Sequence, residues 1–266
     1  LYSGLIVDNN NCEAQVSPIF IEQPDPINYD IITEQITCYD ANDGQITLNN
    51  FSGGMGDYII EVYGPQGPIT NPVLINSSNT QYFENNLFPG DYSIYITDSN
   101  LCSLDSVVNI LNPELLIGTV SSDSLSCHLS MDGNVNLLIQ GGSSPFIIDF
   151  LNNMYSTDDS TFIISNIPAI EQESLLILDN NSCSTSVLVD VYQPEPIVSS
   201  VINYNIDCYS ENTGSSSVNV TGGVGSYSYL FIDENNTILS SGNDSVSGLF
   251  SGSYSWIISD NNSCYD

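Results

Sequence analysis

The sequence predicts an all-β chain built from tandem immunoglobulin-like β-sandwiches in a linear array, and three observations support this prediction. A cysteine that follows a strand and a polar turn recurs at Cys12, Cys102, Cys183 and Cys264, with spacings of 90, 81 and 81 residues. A fixed period of this size indicates an array of small domains. Apolar and polar residues alternate along short segments, turn residues separate these segments, and helical periodicity is missing. Such short alternating segments are typical of a β-sandwich.

The period divides the 266 residues into four repeats, named here repeats 1 to 4. Repeat 1 (residues 1–26) is expected to be the end of a preceding repeat. Repeat 2 (27–113) and repeat 3 (114–194) are expected to be full domains, and repeat 4 (195–266) a domain truncated at its C-terminal side. Prolines mark the joints, at Pro24, Pro113 and Pro194. Because proline fixes φ and has no amide to donate, these joints are predicted to be short and stiff.

Repeats 2, 3 and 4 show the same order of features. It begins with a cysteine, called here the opening cysteine: Cys38, Cys127 or Cys208. A polar loop ending in glycine and an alternating strand follow, and the strand ends at a glycine pair: Gly53-Gly54, Gly141-Gly142 or Gly222-Gly223. The next strand starts with an aromatic residue. The last strand leads through a turn containing aspartate to the closing cysteine, and its alternation places Tyr92, Ile94 and Ile96 on one face.

Repeat 3 departs from this order, because Glu171-Gln172-Glu173 replaces the Gly-x-Tyr that starts the last strand elsewhere. Its strand is therefore expected to begin differently.

The charge composition excludes several functions. The chain has 32 acidic residues, one histidine and no lysine or arginine, so its formal net charge is −32. Without cations to neutralise phosphate, binding of nucleic acid or anionic lipid is not expected. Charged residues are only 12% and apolar residues 41%, which indicates packed cores rather than a disordered acidic tail. No apolar run is long enough to cross a membrane, so no direct membrane insertion is predicted. Seven cysteines at repeating positions favour an oxidising, extracellular setting.

These motifs resemble the SprB repeat. The pattern is a cysteine, five residues and a glycine, then a strand, Gly-Gly and an aromatic strand, and finally Gly-x-Tyr, alternating apolar residues and Asp-x-Asn-x-Cys. The family occurs in very long cell-surface adhesins of gliding Bacteroidota and is similar to PKD and other Ig-like sandwiches. The resemblance implies an extracellular filament segment at the cell surface, exported by a type IX secretion system and used in adhesion and gliding. Neighbouring repeats and the secretion and gliding machinery are then the expected partners.

A different function remains open, namely an array of modules that binds surface polysaccharide in a secreted protein. Tyr63, Tyr82 and Tyr155 lie in variable segments and are the candidates for contact with such a ligand. Trp256 aligns with inward-facing residues and is expected to pack in a core. An accessory module of a secreted hydrolase is a third hypothesis, but the chain itself is not expected to be an enzyme. With no lysine or arginine and only His128, which is assigned to packing or a strand edge, the usual general bases and oxyanion clamps are largely missing.

Three groups of residues are candidate sites. Asp40, Asn42 and Asp43 precede Gly44 in a pattern that resembles part of a calcium loop, so calcium is the only cofactor considered. The recurring Asp8, Asp98, Asp179 and Asp260 are assigned to turn formation, because aspartate bonds its own backbone in tight turns. Four serines follow aspartate in the short pattern that Bacteroidota O-glycosylate: Ser106, Ser124, Ser160 and Ser245.

Two schemes of cysteine pairing remain open. In a seven-strand sandwich the opening and closing turns lie at opposite ends, about 25 Å apart, whereas a disulfide needs Cα atoms about 4.4–6.8 Å apart. This geometry predicts inter-repeat pairs, Cys38–Cys183 and Cys127–Cys264, and leaves Cys12, Cys102 and Cys208 without a partner within reach. With one strand fewer the turns share an end, and the pairs are Cys38–Cys102, Cys127–Cys183 and Cys208–Cys264. The inter-repeat scheme is favoured here, because it stiffens an array that has no salt bridges from lysine or arginine.

Repulsion among the 32 acidic residues is expected to destabilise the fold at low ionic strength. Adding salt to about 0.15 M, or adding calcium, should therefore raise the melting temperature measured by circular dichroism. A melting temperature that is the same in dilute buffer, in salt and in calcium would contradict this prediction.

Overall fold

The computed structural model describes residues 2–69, 71–76 and 78–266, and these residues form 23 β-strands and no helix. Within this part of the chain, no helix is long and apolar enough to cross a membrane. The strands pair antiparallel in small sheets that pack as Ig-like sandwiches, so the predicted fold class is confirmed. The chain separates into two compact units, residues 1–114 and 115–266, which are described in turn.

The first unit contains ten strands. They are β1 (Tyr2–Val7), β2 (Glu13–Ile19), β3 (Asn28–Glu34), β4 (Gly44–Ser52), β5 (Tyr58–Gly64), β6 (Gly67–Pro68), β7 (Val73–Ile75), β8 (Tyr82–Leu87), β9 (Gly90–Asp98) and β10 (Ser103–Ile110). Strands β1 and β2 pair only with each other, in repeat 1. In repeat 2, one sheet has the order β3-β4-β8 and the other the order β10-β9-β5, with β6 and β7 also pairing with β5.

The core of repeat 2 lies between its two sheets. The period-2 alternation of each strand turns one set of side chains inward, and Leu48, Ile60, Ile94, Ile96 and Ile110 are completely buried there. Hairpin β1–β2 has no second sheet among the described residues, and nearly all of its side chains are exposed. Burial in this unit is therefore concentrated in one sandwich.

The second unit contains thirteen strands. They are β11 (Ile117–Ser122), β12 (Gly133–Gln140), β13 (Phe146–Phe150), β14 (Asn153–Thr157), β15 (Thr161–Ile167), β16 (Ile170–Leu178), β17 (Ser184–Val191), β18 (Val198–Tyr204), β19 (Gly214–Thr221), β20 (Ser228–Asp233), β21 (Ile238–Ser241), β22 (Ser245–Leu249) and β23 (Tyr254–Ser259). Strands β11 to β17 form repeat 3, and β18 to β23 form repeat 4.

Repeat 3 is a sandwich of seven strands. One sheet has the order β11-β12-β15 and the other the order β14-β13-β16-β17. Ile148, Phe150, Leu175, Ile177 and Val189 fill the space between them and are at most 1% exposed. This three-plus-four arrangement with strands that switch between sheets is that of an Ig-like or fibronectin-like domain.

Repeat 4 has the same first sheet, β18-β19-β22, but its second sheet contains only β21-β20-β23 among the described residues. Its interior is less well covered. Val218, Phe231 and Ile258 are its buried apolar side chains, whereas Trp256, at the position of Leu175, is half-buried.

The start of the strand that precedes the closing cysteine (β9, β16 or β23) differs between repeats, as predicted. In repeats 2 and 4, the hydroxyl groups of Tyr92 and Tyr254 donate to the carbonyl oxygens of Phe88 and Phe250 at 2.7 and 3.1 Å. Repeat 3 has Glu173 there, and its strand pairing shifts register just before that residue. A bulge therefore replaces the tyrosine contact.

The glycine pairs of repeats 2, 3 and 4 adopt a left-handed backbone, with φ between 62 and 81° at all six glycines. At the first glycine a side chain would collide with the joint: a Cβ on Gly222 would lie 1.9 Å from the carbonyl oxygen of Pro196. At the second, a Cβ on Gly223 would lie 2.8 Å from a carboxylate oxygen of Asp260. The pair thus lets the joint and the closing turn approach the same loop.

This contact is testable in repeat 4, because it also contains a glycine in open space. Gly242 has φ of +81°, and a Cβ on it would have no atom within 4 Å, so Gly242→Ala should cost only backbone strain, about 1–2 kcal/mol. Gly223→Ala, with φ of +64°, adds overlap with Asp260 and should lower the free energy of unfolding by a further ~1–3 kcal/mol. Urea unfolding of the two variants measures the difference, and equal losses would contradict the prediction.

Candidate functional site: the cysteine turns and the joint between repeats

All four closing cysteines lie at the end of the same five-residue turn, called here the closing turn. One carboxylate oxygen of its first residue, an aspartate, accepts hydrogen bonds from the backbone amides two and four residues later. These bonds are 2.8–3.0 Å long for Asp8, Asp98, Asp179 and Asp260. The amide of Asp98 also donates to the carbonyl oxygen of Cys102, and the other three turns repeat this bond. The structure therefore shows the turn chemistry predicted for these aspartates.

The second carboxylate oxygen ties the turn to the glycine-pair loop in the three longer repeats. It accepts the backbone amide that follows the pair, at 2.9 Å in repeat 2, 2.9 Å in repeat 3 and 2.8 Å in repeat 4: Asp98 with Met55, Asp179 with Ser143, and Asp260 with Val224. These three aspartates are only 2, 5 and 6% exposed. Each closing turn is thus held to the body of its own repeat by a buried carboxylate.

The electrostatics of these carboxylates follow from their donors. Burial opposes ionisation of Asp98 and Asp260, but three backbone amides outweigh this effect and lower the pKa of each. In the exposed turn of repeat 1, the amides of Cys12 and Asn10 lower the pKa of Asp8. Neutral amide donors therefore stabilise the charged form in a chain that has no lysine or arginine.

The residue before each closing cysteine adopts a left-handed backbone, with φ of 60–67°. Asn11 is well suited to this conformation, but Leu101, Ser182 and Ser263 are not. Leu101 is also 84% exposed. The turn therefore imposes its geometry on side chains that do not favour it, a feature that the residue types alone did not predict.

A disulfide joins consecutive repeats in the second unit. Cys127, in the opening turn of repeat 3, is bonded to Cys264, in the closing turn of repeat 4, with Cα atoms 5.6 Å apart. Beside it, the side-chain amide of Asn262 donates to the carbonyl oxygen of Ser126 at 2.8 Å. Hydrogen bonds from Ser126 and Ser130 stabilise the opening turn and lower the pKa of Asp132 to about 2. The bond between Cys127 and Cys264 is one of the two pairs that the inter-repeat scheme predicts.

The intra-repeat scheme is wrong. Cys264 is bonded to Cys127, so it pairs with neither Cys208 nor any residue of its own repeat, and Cys127 does not pair with Cys183. Cys102 is an exposed free thiol, which excludes Cys38–Cys102, and Cys12 and Cys208 are also free and exposed. The pairing Cys38–Cys183 stays a prediction.

The sandwich geometry explains why pairing within a repeat fails. In repeat 3, Gly133, which follows the opening turn, pairs with Ile167 at the end of β15, close to the start of β16. Strand β16 then runs nine residues to Leu178 before the closing turn. At about 3.4 Å per residue the two turns lie about 30 Å apart, far beyond disulfide reach.

The calcium candidates do not share one ligand position. Both carboxylate oxygens of Asp43 accept hydrogen bonds from Thr37, at 3.1 and 2.5 Å. The carboxylate of Asp40 accepts the side-chain amide of Asn112 at 3.1 Å, and Asn42 is exposed. In the described part of the chain, no three His, Cys, Asp or Glu side chains are grouped to hold a metal. Calcium binding by Asp40, Asn42 and Asp43 stays a prediction.

The three tyrosines that are candidates for ligand contact differ in their exposure to solvent. Tyr82 is 3% exposed and belongs to the core of repeat 2, so its assignment as an exposed ligand contact is wrong. It starts β8 rather than lying in a loop, and the strand turns it inward. Tyr155 is half-buried against Phe162, whereas Tyr63 is 40% exposed. Trp256 faces the interior, as predicted, and its ring nitrogen donates to Ser216 at 2.9 Å.

The remaining candidates lie at the surface. His128 is exposed, and its Nδ1 lies 3.1 Å from the carbonyl oxygen of Pro194 in the joint. Ser124, Ser160 and Ser245 are exposed, so an enzyme could reach them. Ser106 is half-buried and hydrogen-bonded to the hydroxyl of Tyr29. O-glycosylation of these four serines stays a prediction.

Together these features define a class of protein: a tandem array of Ig-like β-sandwiches in which a disulfide connects the turns of consecutive repeats. Their side chains build turns and crosslinks.

The comparison with protein families agrees with this class. The family model of the SprB repeat matches residues 31–67, in repeat 2, and residues 204–236, in repeat 4. The resemblance to that family is thus confirmed for these two segments. A comparison with curated proteins finds no match.

Solved structures of tandem sandwiches are similar to the chain at low identity. A segment of two fibronectin type-III domains from chicken tenascin is 10% identical, covers 64% of this chain and 100% of its own, and has a TM-score of 0.26. Three fibronectin domains of chicken CNTN1 are 11% identical, with 91% and 94% coverage and a TM-score of 0.29. The amphioxus IgVJ-C2 molecule is 12% identical, with 59% and 99% coverage and a TM-score of 0.26. The Ig-like assignment rests on the strand order described above.

The buried aspartate of the closing turn generates a pH-dependent prediction. Because the pKa of Asp260 lies below its ordinary value of 3.8 in the folded state, the carboxylate stabilises the fold above that value. This contribution is lost as the pH falls through the lowered pKa. Asp260→Asn places an amide group against the amide of Val224, and at neutral pH it should lower the free energy of unfolding by about 1–3 kcal/mol.

Denaturant unfolding at neutral pH and below pH 3.8 should show that the deficit of Asp260→Asn narrows in acid. Asp244→Asn, an exposed substitution outside the closing turns, is the control and should have little effect at either pH. A deficit that is the same at both pH values would refute the assigned role.

The disulfide generates a second prediction. It closes 137 residues into a loop, and the loop-entropy treatment gives a stabilisation of roughly 5 kcal/mol. The double variant Cys127→Ser/Cys264→Ser should therefore be less stable to denaturant by about that amount. Cys102→Ser/Cys208→Ser replaces two exposed free thiols and should change stability by less than about 0.5 kcal/mol. Equal stability of the two double variants would argue against a stabilising crosslink.

Proposed function

We propose that the chain is a structural and adhesive segment of a long extracellular filament at the cell surface. The observation that carries this proposal is the bond between Cys127 and Cys264, which connects the opening turn of repeat 3 to the closing turn of repeat 4. Such a bond persists in an oxidising compartment outside the cell. The match of two segments to the SprB repeat supports export by a type IX secretion system and a role in adhesion and gliding.

The proposed mechanism is mechanical. Because the bond encloses 137 residues, a pull between repeats 3 and 4 loads the sulfur–sulfur bond rather than only the antiparallel ladders inside the loop. A ladder separates when its hydrogen bonds break, whereas the crosslink yields only by reduction. The closing turn is itself held by the buried Asp260, so load passes into the body of repeat 4.

The proposed partners follow from the same role. They are the neighbouring repeats of the same chain and the secretion and gliding machinery. A formal net charge of −32 supports solubility and disfavours contact with anionic surfaces. Catalysis forms no part of the proposal, because a chain with one histidine and no lysine or arginine has almost no cationic side chain to stabilise a developing oxyanion.

One observation favours polysaccharide binding as a second candidate function. On the outer face of repeat 2, Tyr63 and Tyr95 are 40 and 43% exposed. Their rings meet edge to face with centroids 5.7 Å apart, and Glu61 pairs with Tyr95 across the strands. Aromatic rings beside a carboxylate could receive a sugar. A glycan array probed with the wild-type chain and with Tyr95→Ala separates this function from a purely structural one.

The cell-surface role is tested on intact cells that make the protein. Antibodies raised against this chain should label unpermeabilised cells, and a protease that cuts at acidic residues, added outside, should remove the label. An antibody against a cytoplasmic protein is the control and should label only permeabilised cells. Label that appears only after permeabilisation would exclude the proposed function.

A further inference from the structure

Repeat 2 has a pocket at the end of strand β4. Its volume of about 350 Å³ lies in the range of small-molecule sites, about 300–1,000 Å³. Asn49 and Phe51, from β4, form part of its wall. Tyr58 lies at the start of β5 and Gln81 just before β8, and both also line the pocket. Side chains from both sheets of the sandwich thus contribute to it.

An additional residue in β4 shapes this pocket. Gly53 lies nine positions after Gly44, whereas the corresponding glycines of repeats 3 and 4 lie eight positions apart. The pairing of β3 with β4 shifts register at this point, as it does at a bulge. Asn50 has a left-handed φ of +54°, and its side-chain amide donates to a carboxylate oxygen of Asp30 at 2.7 Å. Such a bulge bends the strand and redirects the neighbouring side chains.

The ladder between β4 and β8 ends just before the bulge. Asn49 and Gln81 come next on the two strands, lie outside the paired part of the ladder, and both line the pocket. In repeat 3 the corresponding ladder continues, because Leu138, at the position of Asn49, pairs with Thr161. The early end of the ladder in repeat 2 thus leaves the space that forms the pocket.

The wall of the pocket contains an acceptor that lacks a donor. Asn49 Oδ1 is buried, and no group among the described residues donates a hydrogen bond to it. A buried acceptor without a donor costs free energy, so native structures contain few of them. The terminal torsion of asparagine is broad, and a rotation of the amide turns this oxygen to a donor in the pocket.

The side chains of the wall define the chemical class of the ligand. The wall combines the amides of Asn49 and Gln81 and the hydroxyl of Thr80 with the aromatic ring of Phe51. Of the described residues that line it, only Asp57 is charged, and the chain has no lysine or arginine to attract an anion. One carboxylate also suits calcium poorly, because that ion takes about six to eight oxygen ligands. The wall therefore suits a neutral ligand that is rich in hydroxyl groups.

We propose that this pocket binds one sugar residue of a neutral polysaccharide. A sugar hydroxyl donates to Asn49 Oδ1, other hydroxyls bond the amide of Gln81, and the apolar face of the sugar ring lies against Phe51. The proposal rests on polysaccharide binding, the second candidate function above, and adds a site whose lining contains neither Tyr63 nor Tyr95.

Binding is measured by saturation-transfer NMR of the full chain with three neutral disaccharides: maltose, cellobiose and lactose. At least one of them should bind in a saturable way at physiological salt. Digalacturonate carries two carboxylates and approaches Asp57 in a chain with a formal net charge of −32. It should therefore bind at least about tenfold more weakly than the neutral disaccharide.

Matched substitutions locate the contact. Asn49→Leu introduces the residue that repeat 3 has at this position and should weaken disaccharide binding by about tenfold or more. It should not lower the melting temperature, because it removes an acceptor that has no donor among the described residues. Asn219→Leu, at the corresponding exposed position of repeat 4, is the control and should leave binding within about twofold. Gln81→Leu changes the opposite wall, should also weaken binding, and decides the matter if Asn49→Leu fails to fold.

Absence of saturable binding by all three disaccharides would overturn the proposal, while the glycan array still tests the second candidate function independently. Binding that Tyr95→Ala abolishes and Asn49→Leu preserves would also overturn it and would assign the sugar to the outer face of repeat 2. Equal affinity of the Asn49→Leu and Asn219→Leu variants would refute the contact with Asn49.

Discussion

The constraint on which the rest of the structure depends is the absence of lysine and arginine. The chain has 32 carboxylates and only one histidine, so the usual cationic partners for a buried carboxylate are missing. The fold uses neutral donors instead. Asp98, Asp179 and Asp260 are buried, and each accepts three backbone amides, two from its own turn and one from the glycine-pair loop. An amide donor carries no charge, and therefore a carboxylate must bind several of them to remain ionised in a buried place.

This arrangement connects three parts of each repeat that are distant in sequence. The aspartate determines the shape of the closing turn and therefore the position of its cysteine. It also requires the second glycine of the pair, because a side chain at Gly54 or Gly223 would enter the space of the carboxylate. The first glycine leaves room for the joint, since a Cβ on Gly53 or Gly222 would lie 1.9 Å from the carbonyl oxygen of Pro26 or Pro196. The amides of the second glycines, Gly54 and Gly223, donate to the carbonyl oxygens of Asp25 and Glu195 in the joint. Turn, loop and joint thus form one unit at the end of the sandwich.

The crosslink between Cys127 and Cys264 depends on that unit. A disulfide between separate domains forms only if both cysteines are held within a narrow range of distance. On one side Asp260 holds the closing turn, and on the other Asp132 holds the opening turn through Ser126 and Ser130. Elsewhere the repeats vary more freely. Phe146 replaces the tyrosine whose hydroxyl bonds the glycine pair in repeats 2 and 4, and Glu173 replaces Tyr92 at the strand entry. The repeats thus share the closing turn and differ in these tyrosine hydrogen bonds, which repeat 3 lacks.

The amino-acid sequence by itself determined the all-β class, the repeats, the inward faces of the strands and the turn role of the recurring aspartates. These features depend on residues within a few positions of one another, so alternation and residue type are sufficient to predict them. Only the tertiary structure decided that Gly223 contacts Asp260, that Cys127 pairs with Cys264, and that Tyr82 is buried. These outcomes depend on strand order and register, because the number of strands between two turns decides whether they share an end of the sandwich. A count of six or seven strands was consistent with the sequence, and the five strands between the opening and closing turns of repeat 3, β12 to β16, place these turns at opposite ends.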